Sequence, residues 1–198
     1  RVMTLGMMIL DQWWWLMIPG LLLGLYAQMR LRSAYQRFLR VPSERGVTGA
    51  QAARHILDQA GLRDVRVAEV GGQLTDHYDP REGVLRLSEG VYGSQSIAAL
   101  GIAAHEAGHA IQHAERYGAL VLRTAIAPAA ATGSQLGIWL FMIGFFIAAF
   151  AHGAFAWLID VGLILFSVAV FFTLVTLPVE FNASKRAIAI LEKGGYLT

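Results

Sequence analysis

The chain has 198 residues, of which 56% are hydrophobic and only 15% are charged, whereas soluble domains carry about 25% charged residues. A net charge of +2 gives no indication of nucleic-acid binding, and the absence of cysteine excludes disulfides and thiolate metal ligands. We therefore predict an α+β membrane protein with one modest extramembrane domain, in which any metal is held by His, Asp or Glu.

The first predicted element is a transmembrane anchor within residues 1–32. Residues 12–29 carry no charge and, with the mostly apolar residues before them, are long enough to span a bilayer. The tryptophans at positions 13–15 suit a membrane–water interface. A signal peptide is the rival interpretation, but the apolar run leads straight into Arg30 without a small-residue cleavage site. We expect an uncleaved anchor.

A cluster of arginines follows the anchor, at positions 30, 32, 37, 40 and 45. Basic residues next to a membrane span favour the cytoplasmic side, and the same residues are also compatible with a solvated helix face. The pattern places the N-terminus outside and the following domain, residues 33–118, in the cytoplasm.

This domain begins with a predicted amphipathic helix from Thr48 to Ala60, with Thr48 as N-cap and Gly61 as the stop. Strand patterns follow at Val65–Val70, Leu74–Tyr78 and Val84–Leu87, the last two joined by a turn. We predict a short antiparallel sheet, with Val84–Leu87 as a candidate edge for binding an extended substrate.

The segment His105-Glu106-Ala107-Gly108-His109 contains H-E-x-x-H, the signature of a zinc peptidase helix. Two histidines four residues apart share one face of a helix and can bind one zinc ion. Zinc lowers the pKa of its bound water to about 7, and Glu106 is placed to take the proton. The Ala-rich residues before the motif are compatible with a helix. We predict His105 and His109 as zinc ligands and Glu106 as the catalytic base.

A transmembrane hairpin is predicted for residues 119–178. Leu136–Phe150 and Ala154–Leu177 are apolar apart from Asp160, and His152-Gly153 is typical of a tight turn. Lys185 and Arg186 follow, so the C-terminal segment, residues 179–198, is predicted to lie in the cytoplasm. With the anchor, the count is about three transmembrane helices.

A catalytic zinc site needs a third protein ligand and an open position for water. The hairpin returns the chain to the membrane face near Pro178, where the H-E-x-x-H helix also ends, and Glu180 is the first carboxylate there. The alternatives are an ion pair of Glu180 with Arg186, and His113 as the ligand. His113 is rotated about 80° from His105 on a helix, which makes it a better cleft residue than a ligand. His77 is more typical of a surface strand than of a substrate contact.

Three blocks, Leu74–Ser88, Ala103–His113 and Leu177–Ser184, resemble the YugP-like neutral zinc metallopeptidases, which are small bacterial membrane proteins. A more distant resemblance is to the HtpX-type and CaaX-prenyl membrane peptidases, in which a ligand glutamate follows membrane helices. The resemblance implies Glu180 as the third ligand, in a gluzincin-type site. The wider group tends to carry Asp four residues after this glutamate. Here Ser184 stands at that position, and Asn182 or Ser184 are the candidates for its role.

The expected function is that of a zinc-dependent endopeptidase in the bacterial cytoplasmic membrane, with the active site facing the cytoplasm. Its expected partners are the lipid bilayer and a peptide or membrane-protein substrate, with no nucleic acid. The alternative is a non-catalytic zinc-binding subunit or adaptor, because the small residues 129–133 and glycine-rich helices suit close packing in a membrane-protein complex or homo-oligomer. Proteolysis inside the bilayer is disfavoured by Gln112, Glu115 and Arg116 on the motif helix. The presence of Glu106 favours catalysis.

Overall fold

The structure is a computed structural model that describes residue 15, residues 17–150 and residues 155–196. In chain order its elements are α1 (Met17–Leu39), α2 (Gly49–Gln59), β1 (Arg66–Val70), β2 (His77–Asp79), β3 (Val84–Ser88), α3 (Glu89–Tyr92), α4 (Ile97–Ala114), α5 (Gly118–Phe150) and α6 (Trp157–Lys193). The protein is α+β, as predicted, and most of its described residues are helical.

The chain forms two compact units. The first unit contains the chain up to Met29 and Leu122–Leu177, and the second unit contains Arg30–Val121 and Pro178–Thr198. The H-E-x-x-H motif and Glu180 both belong to the second unit, although they come from distant parts of the chain.

Two described helices are long and apolar enough to cross a membrane, Gly118–Ala148 and Trp157–Lys193. Most of their apolar surface is exposed rather than packed in a protein core, as at Phe171, which is 59% exposed. Exposed apolar helices of this length are consistent with membrane association. Much of the predicted anchor, residues 1–14 and 16, and the predicted turn at His152-Gly153 lie outside the described residues, so the count of three spans stays a prediction.

Glycines allow α5 and α6 to pack closely within the first unit. A Cβ at Gly162 would lie 2.6 Å from the backbone nitrogen of Phe141, and one at Gly137 would lie 2.8 Å from the carbonyl oxygen of Gly162. Only a residue without a side chain permits such a backbone approach. These glycines therefore have a packing role inside the chain.

Helix α2 begins where predicted because Thr48 forms a capping box. Its Oγ1 accepts a hydrogen bond from the backbone nitrogen of Gln51, and the Gln51 side chain accepts one from the Thr48 nitrogen. Behind this cap, Ile56 and Leu57 are buried in a core shared with Leu100 of α4. Burial of each such side chain contributes about 1.5–3 kcal/mol, and it packs α2 against the motif helix.

The prediction of an antiparallel sheet is wrong for one of its three strands. The strand order is β1-β3-β2, with β2 antiparallel and β1 parallel to β3. A parallel neighbour needs a connection of about a dozen residues, which residues 71–83 supply. Alternation of apolar residues does not distinguish the two pairings. Leu74 has a φ of 55°, so the second strand begins later than predicted, at His77.

The same topology corrects the expected edge strand. Val84–Leu87 lies in the central strand, which pairs with β1 on one side and β2 on the other. The backbone groups of this strand are occupied on both sides, so it has no free edge for a substrate. The edges of the sheet belong to β1 and β2.

Candidate metal centre

Helix α4 presents the motif residues on one side. Ser96 caps the helix, since its Oγ accepts a hydrogen bond from the backbone nitrogen of Ala99. The helix continues to Ala114 and therefore contains the whole H-E-x-x-H segment. The ring centroids of His105 and His109 lie 4.7 Å apart, as expected for residues separated by one helical turn.

Glu180 of α6 faces both rings. Its Oε2 lies 3.2 Å from Nε2 of His105 and 3.5 Å from Nε2 of His109. Tetrahedral zinc with bonds of about 2.0–2.1 Å places neighbouring ligand atoms about 3.3–3.4 Å apart. Both nitrogen–oxygen separations are close to this value, and all three ligand atoms lie within 4.8 Å of one another, so the group fits a zinc ion. In the described part of the chain, these three residues are the only such group of His, Asp or Glu.

The packing of α4 against α6 determines where Glu180 lies. Val179 and Ala183 are fully buried, so the turn of α6 around Glu180 is held against the protein while the carboxylate stays partly exposed. A Cβ at Gly108 would lie 3.0 Å from the carbonyl oxygen of Ala183. The missing side chain at Gly108 lets the two helices approach closely beside the candidate ligands.

The second ring nitrogen, Nδ1, of each histidine also has a hydrogen-bonding partner. The Nδ1 of His105 lies 3.2 Å from Oγ of Ser184, and the Nδ1 of His109 lies 3.0 Å from Oε1 of Gln112. A metal-binding histidine commonly donates its second ring N–H to such an outer partner. Ser184 and Asn182 are the two candidates that the sequence analysis names for this role, and Ser184 is the one that contacts a candidate ligand directly.

Gln112 was not identified as a site residue from the sequence. The signal available was its spacing, since a residue three positions after His109 lies on the same helix face. Its side chain is fully buried and bonds to the carbonyl oxygen of Val179 and to Oδ1 of Asn182, besides His109. A buried amide with three partners indicates a structural purpose.

Glu106 is half-buried next to the candidate metal ligands. Burial raises the pKa of its carboxyl group, while the charges of His109 and His105 oppose that shift and those of Asp76 and Glu180 reinforce it. Among the described residues, no side chain or backbone group donates a hydrogen bond to this carboxylate. Its oxygens are therefore able to accept a proton from a bound molecule.

The other candidates lie apart from this centre. His113 is exposed, with its Nδ1 3.1 Å from the Tyr78 hydroxyl, and His77 donates to the carbonyl oxygen of Thr75 over 2.7 Å. The alternative partner of Glu180, Arg186, bonds elsewhere. Arg186 pairs with Glu115 at 2.7 Å and donates from Nε to Oδ1 of Asn182 at 2.7 Å.

Comparison with known proteins gives a match over nearly the whole chain. A family model described as "Putative neutral zinc metallopeptidase" matches residues 13–198. Among curated proteins, the "Putative membrane protease YugP" of Bacillus subtilis (strain 168) is 48% identical over 182 residues, which cover 92% of this chain and 78% of that protein. No solved structure matches the chain.

Proposed function

Since the chain belongs to this family of neutral zinc metallopeptidases, we propose that it is a membrane-anchored, zinc-dependent endopeptidase of the gluzincin type. Family membership implies zinc as the metal and peptides as substrates. The observation that carries the proposal is the convergence of His105, His109 and Glu180 beside the half-buried carboxylate of Glu106. We assign the first three as metal ligands and Glu106 as the catalytic residue.

Each residue has a distinct chemical task in this proposal. Zinc held by His105, His109 and Glu180 would supply a Lewis acid that makes the attacking water more acidic. Glu106 takes the proton from the water that attacks the peptide carbonyl, and passes it to the leaving amine. The burial that raises the pKa of Glu106 makes its carboxylate a better proton acceptor at neutral pH. The Nδ1 contacts to Ser184 and Gln112 keep both imidazole rings oriented.

We place the enzyme in the bacterial cytoplasmic membrane as a multi-pass protein. The two apolar helices, the arginines that follow the anchor and the similarity to a Bacillus protein named as a membrane protease support this assignment. The proposed organisation is an anchor at 1–32, a cytoplasmic zincin-like domain at 33–118, a hairpin at 119–178 and a ligand-bearing segment at 179–198. A site tethered at the cytoplasmic face suits membrane proteins or their cytoplasmic tails as substrates.

The non-catalytic adaptor remains the rival proposal, and the structure offers it little support. Gly137 and Gly162 contact each other's helices within the chain, so these glycines need no partner protein to explain them. A purely structural zinc site also has no use for a general base such as Glu106.

Glu106→Gln tests the proposal in the full-length protein purified in detergent. The amide has the same size but cannot take the proton, so cleavage of casein or a peptide should fall about 10²–10⁴-fold. Zinc content and melting temperature should stay close to those of the wild type, because Glu106 is not a proposed ligand.

Glu69→Gln is the matched control, since Glu69 is an exposed carboxylate on the edge strand β1. It should cleave within about twofold of the wild-type rate, as surface substitutions away from a site usually do. A Glu106→Gln protein that cleaves as fast as the wild type would remove Glu106 as the base. A zinc-loaded wild type that cleaves no peptide would favour the adaptor.

A further inference from the structure

Gln112 lies in the last turn of α4, with a side chain that is fully buried. An amide group contains one acceptor oxygen and a nitrogen with two donor hydrogens. Burial of such a group is tolerated when each of these finds a partner. The partners of Gln112 therefore show which role the structure assigns to it.

The oxygen and both hydrogens of this amide each have a partner. The Oε1 atom faces Nδ1 of His109 at 3.0 Å, while Nε2 donates to the carbonyl oxygen of Val179 and to Oδ1 of Asn182, each at 2.9 Å. A backbone carbonyl only accepts, so Nε2 must be the atom that faces Val179. Asn182 Oδ1 also receives the Nε–H of Arg186, which only donates. The orientation of the Gln112 amide is thus determined by its neighbours.

This orientation determines the tautomer of neutral His109. Because Oε1 of Gln112 only accepts, the hydrogen of the neutral imidazole must lie on Nδ1. The lone pair is then on Nε2, the atom that faces Glu180. The contact behind His105 has no such effect, since the Ser184 hydroxyl can donate as well as accept.

The same amide also holds the segment that carries Glu180. Val179 immediately precedes Glu180, and Asn182 lies two positions after it. Both are bonded to the nitrogen of Gln112, so the side chain joins α4 to the turn of α6 that contains the carboxylate. One residue therefore acts on two of the three proposed ligands, which come from separate helices.

We propose that Gln112 is a positioning residue of the metal centre. Its side chain orients Nε2 of His109 toward the metal site and keeps the Glu180 carboxylate facing that nitrogen. This inference rests on the proposed zinc site. In this proposal Gln112 does not contact the substrate. Its expected effect is on the affinity and geometry of metal binding.

The test compares metal binding by the full-length protein and its variants in detergent. Gln112→Met keeps the length of the side chain but removes all three hydrogen bonds. Loss of an outer partner of a metal ligand typically weakens metal binding 10–100-fold, and we expect that change in a competition titration with a zinc chelator. Cobalt substituted for zinc should show an altered d–d absorption spectrum, because the coordination geometry changes.

Gln112→Glu separates the two roles. The carboxylate can still accept from Nδ1 of His109, but it cannot donate to Val179 or Asn182. Its zinc affinity should lie between those of the wild type and Gln112→Met. Asn182→Leu removes one partner of Gln112 without changing the contact to His109, and it should also weaken zinc binding. This variant takes the place of Gln112→Met if Gln112→Met does not fold.

Two controls distinguish positioning from general stability. Gln59→Met makes the same exchange at an exposed position of α2 and should leave zinc affinity unchanged. Leu57→Ala empties a buried core position and should lower the melting temperature without altering zinc affinity or the cobalt spectrum. The inference is overturned if Gln112→Met, like Leu57→Ala, lowers the melting temperature but leaves the zinc affinity and the cobalt spectrum unchanged. A wild type that binds no zinc would instead overturn the proposed metal site itself.

Discussion

A single carboxylate oxygen of Glu180 lies almost equally close to two imidazole nitrogens. The distances of 3.2 and 3.5 Å join the same Oε2 atom to Nε2 of His105 and of His109. A carboxylate, unlike a third imidazole, brings a negative charge that offsets part of the charge of a divalent cation. At the scale of single residues, this arrangement makes Glu180 a stronger candidate ligand than His113.

The first prediction concerns the metal ligands. The wild-type protein should contain about one zinc per chain, as expected for a three-ligand catalytic site. His105→Ala, His109→Ala and Glu180→Ala should each lose the metal, whereas His113→Ala should retain it, because His113 contacts Tyr78 instead. Metal analysis after gel filtration measures this. Loss of zinc from His113→Ala together with full zinc in Glu180→Ala would reject the proposed ligand set.

At the scale of secondary-structure elements, the crossing of α4 and α6 is the critical contact. It occurs at Gly108, where a Cβ would meet the backbone of Ala183. Backbone atoms move aside less readily than flexible side chains, so a side chain at Gly108 requires the two helices to shift by a few tenths of an ångström. The two helices carry different candidate ligands, and their separation therefore affects the metal centre.

The second prediction compares two glycines of α4. Gly101→Ala meets no atom within 4 Å, so it should stabilise the helix by up to about 1 kcal/mol through helix propensity. Gly108→Ala gains the same propensity but meets the Ala183 carbonyl oxygen at 3.0 Å. Overpacking typically costs about 1–3 kcal/mol, so Gly108→Ala should be less stable than Gly101→Ala. Thermal unfolding in detergent measures the difference, and equal stability of the two variants would show that the crossing tolerates a methyl group.

At the scale of the whole molecule, the distribution of charge separates the two units. Residues 122–177, in the first unit, contain only Arg123 and Asp160 as charged residues, whereas the arginines after the anchor and the Lys185-Arg186 pair belong to the second. Basic residues next to apolar spans favour the cytoplasmic side of a membrane. We therefore propose that the second unit, with the candidate metal centre, faces the cytoplasm.

The third prediction concerns this topology. The chain contains no cysteine, so a single introduced thiol reports its own position without background. His55 is exposed on α2 of the second unit, and position 152 lies in the predicted hairpin turn. A membrane-impermeant thiol reagent should label His55→Cys and His152→Cys from opposite sides of the membrane. Labelling of both from the same side would contradict the proposed number of spans.

Local patterns in the sequence determined those features that depend on near neighbours. The spacing of His105 and His109 predicts that they share a face because a helix repeats every 3.6 residues. The caps at Thr48 and Ser96 stand at the starts of their helices, since capping depends on residues only three positions apart. The long apolar runs indicate the candidate membrane helices for the same local reason.

The tertiary structure decided the contacts between distant segments. Glu180 is 75 positions from His105, so the sequence predicts it as a ligand only by topology and resemblance. The packing of the helices brings Oε2 of Glu180 to 3.2 Å from Nε2 of His105. The parallel pairing of β1 and the three bonds of Gln112 are also long-range. The packing of α4, α6 and the sheet determines which residues meet in these contacts. Neither segment alone shows a periodic sequence pattern that identifies its partner.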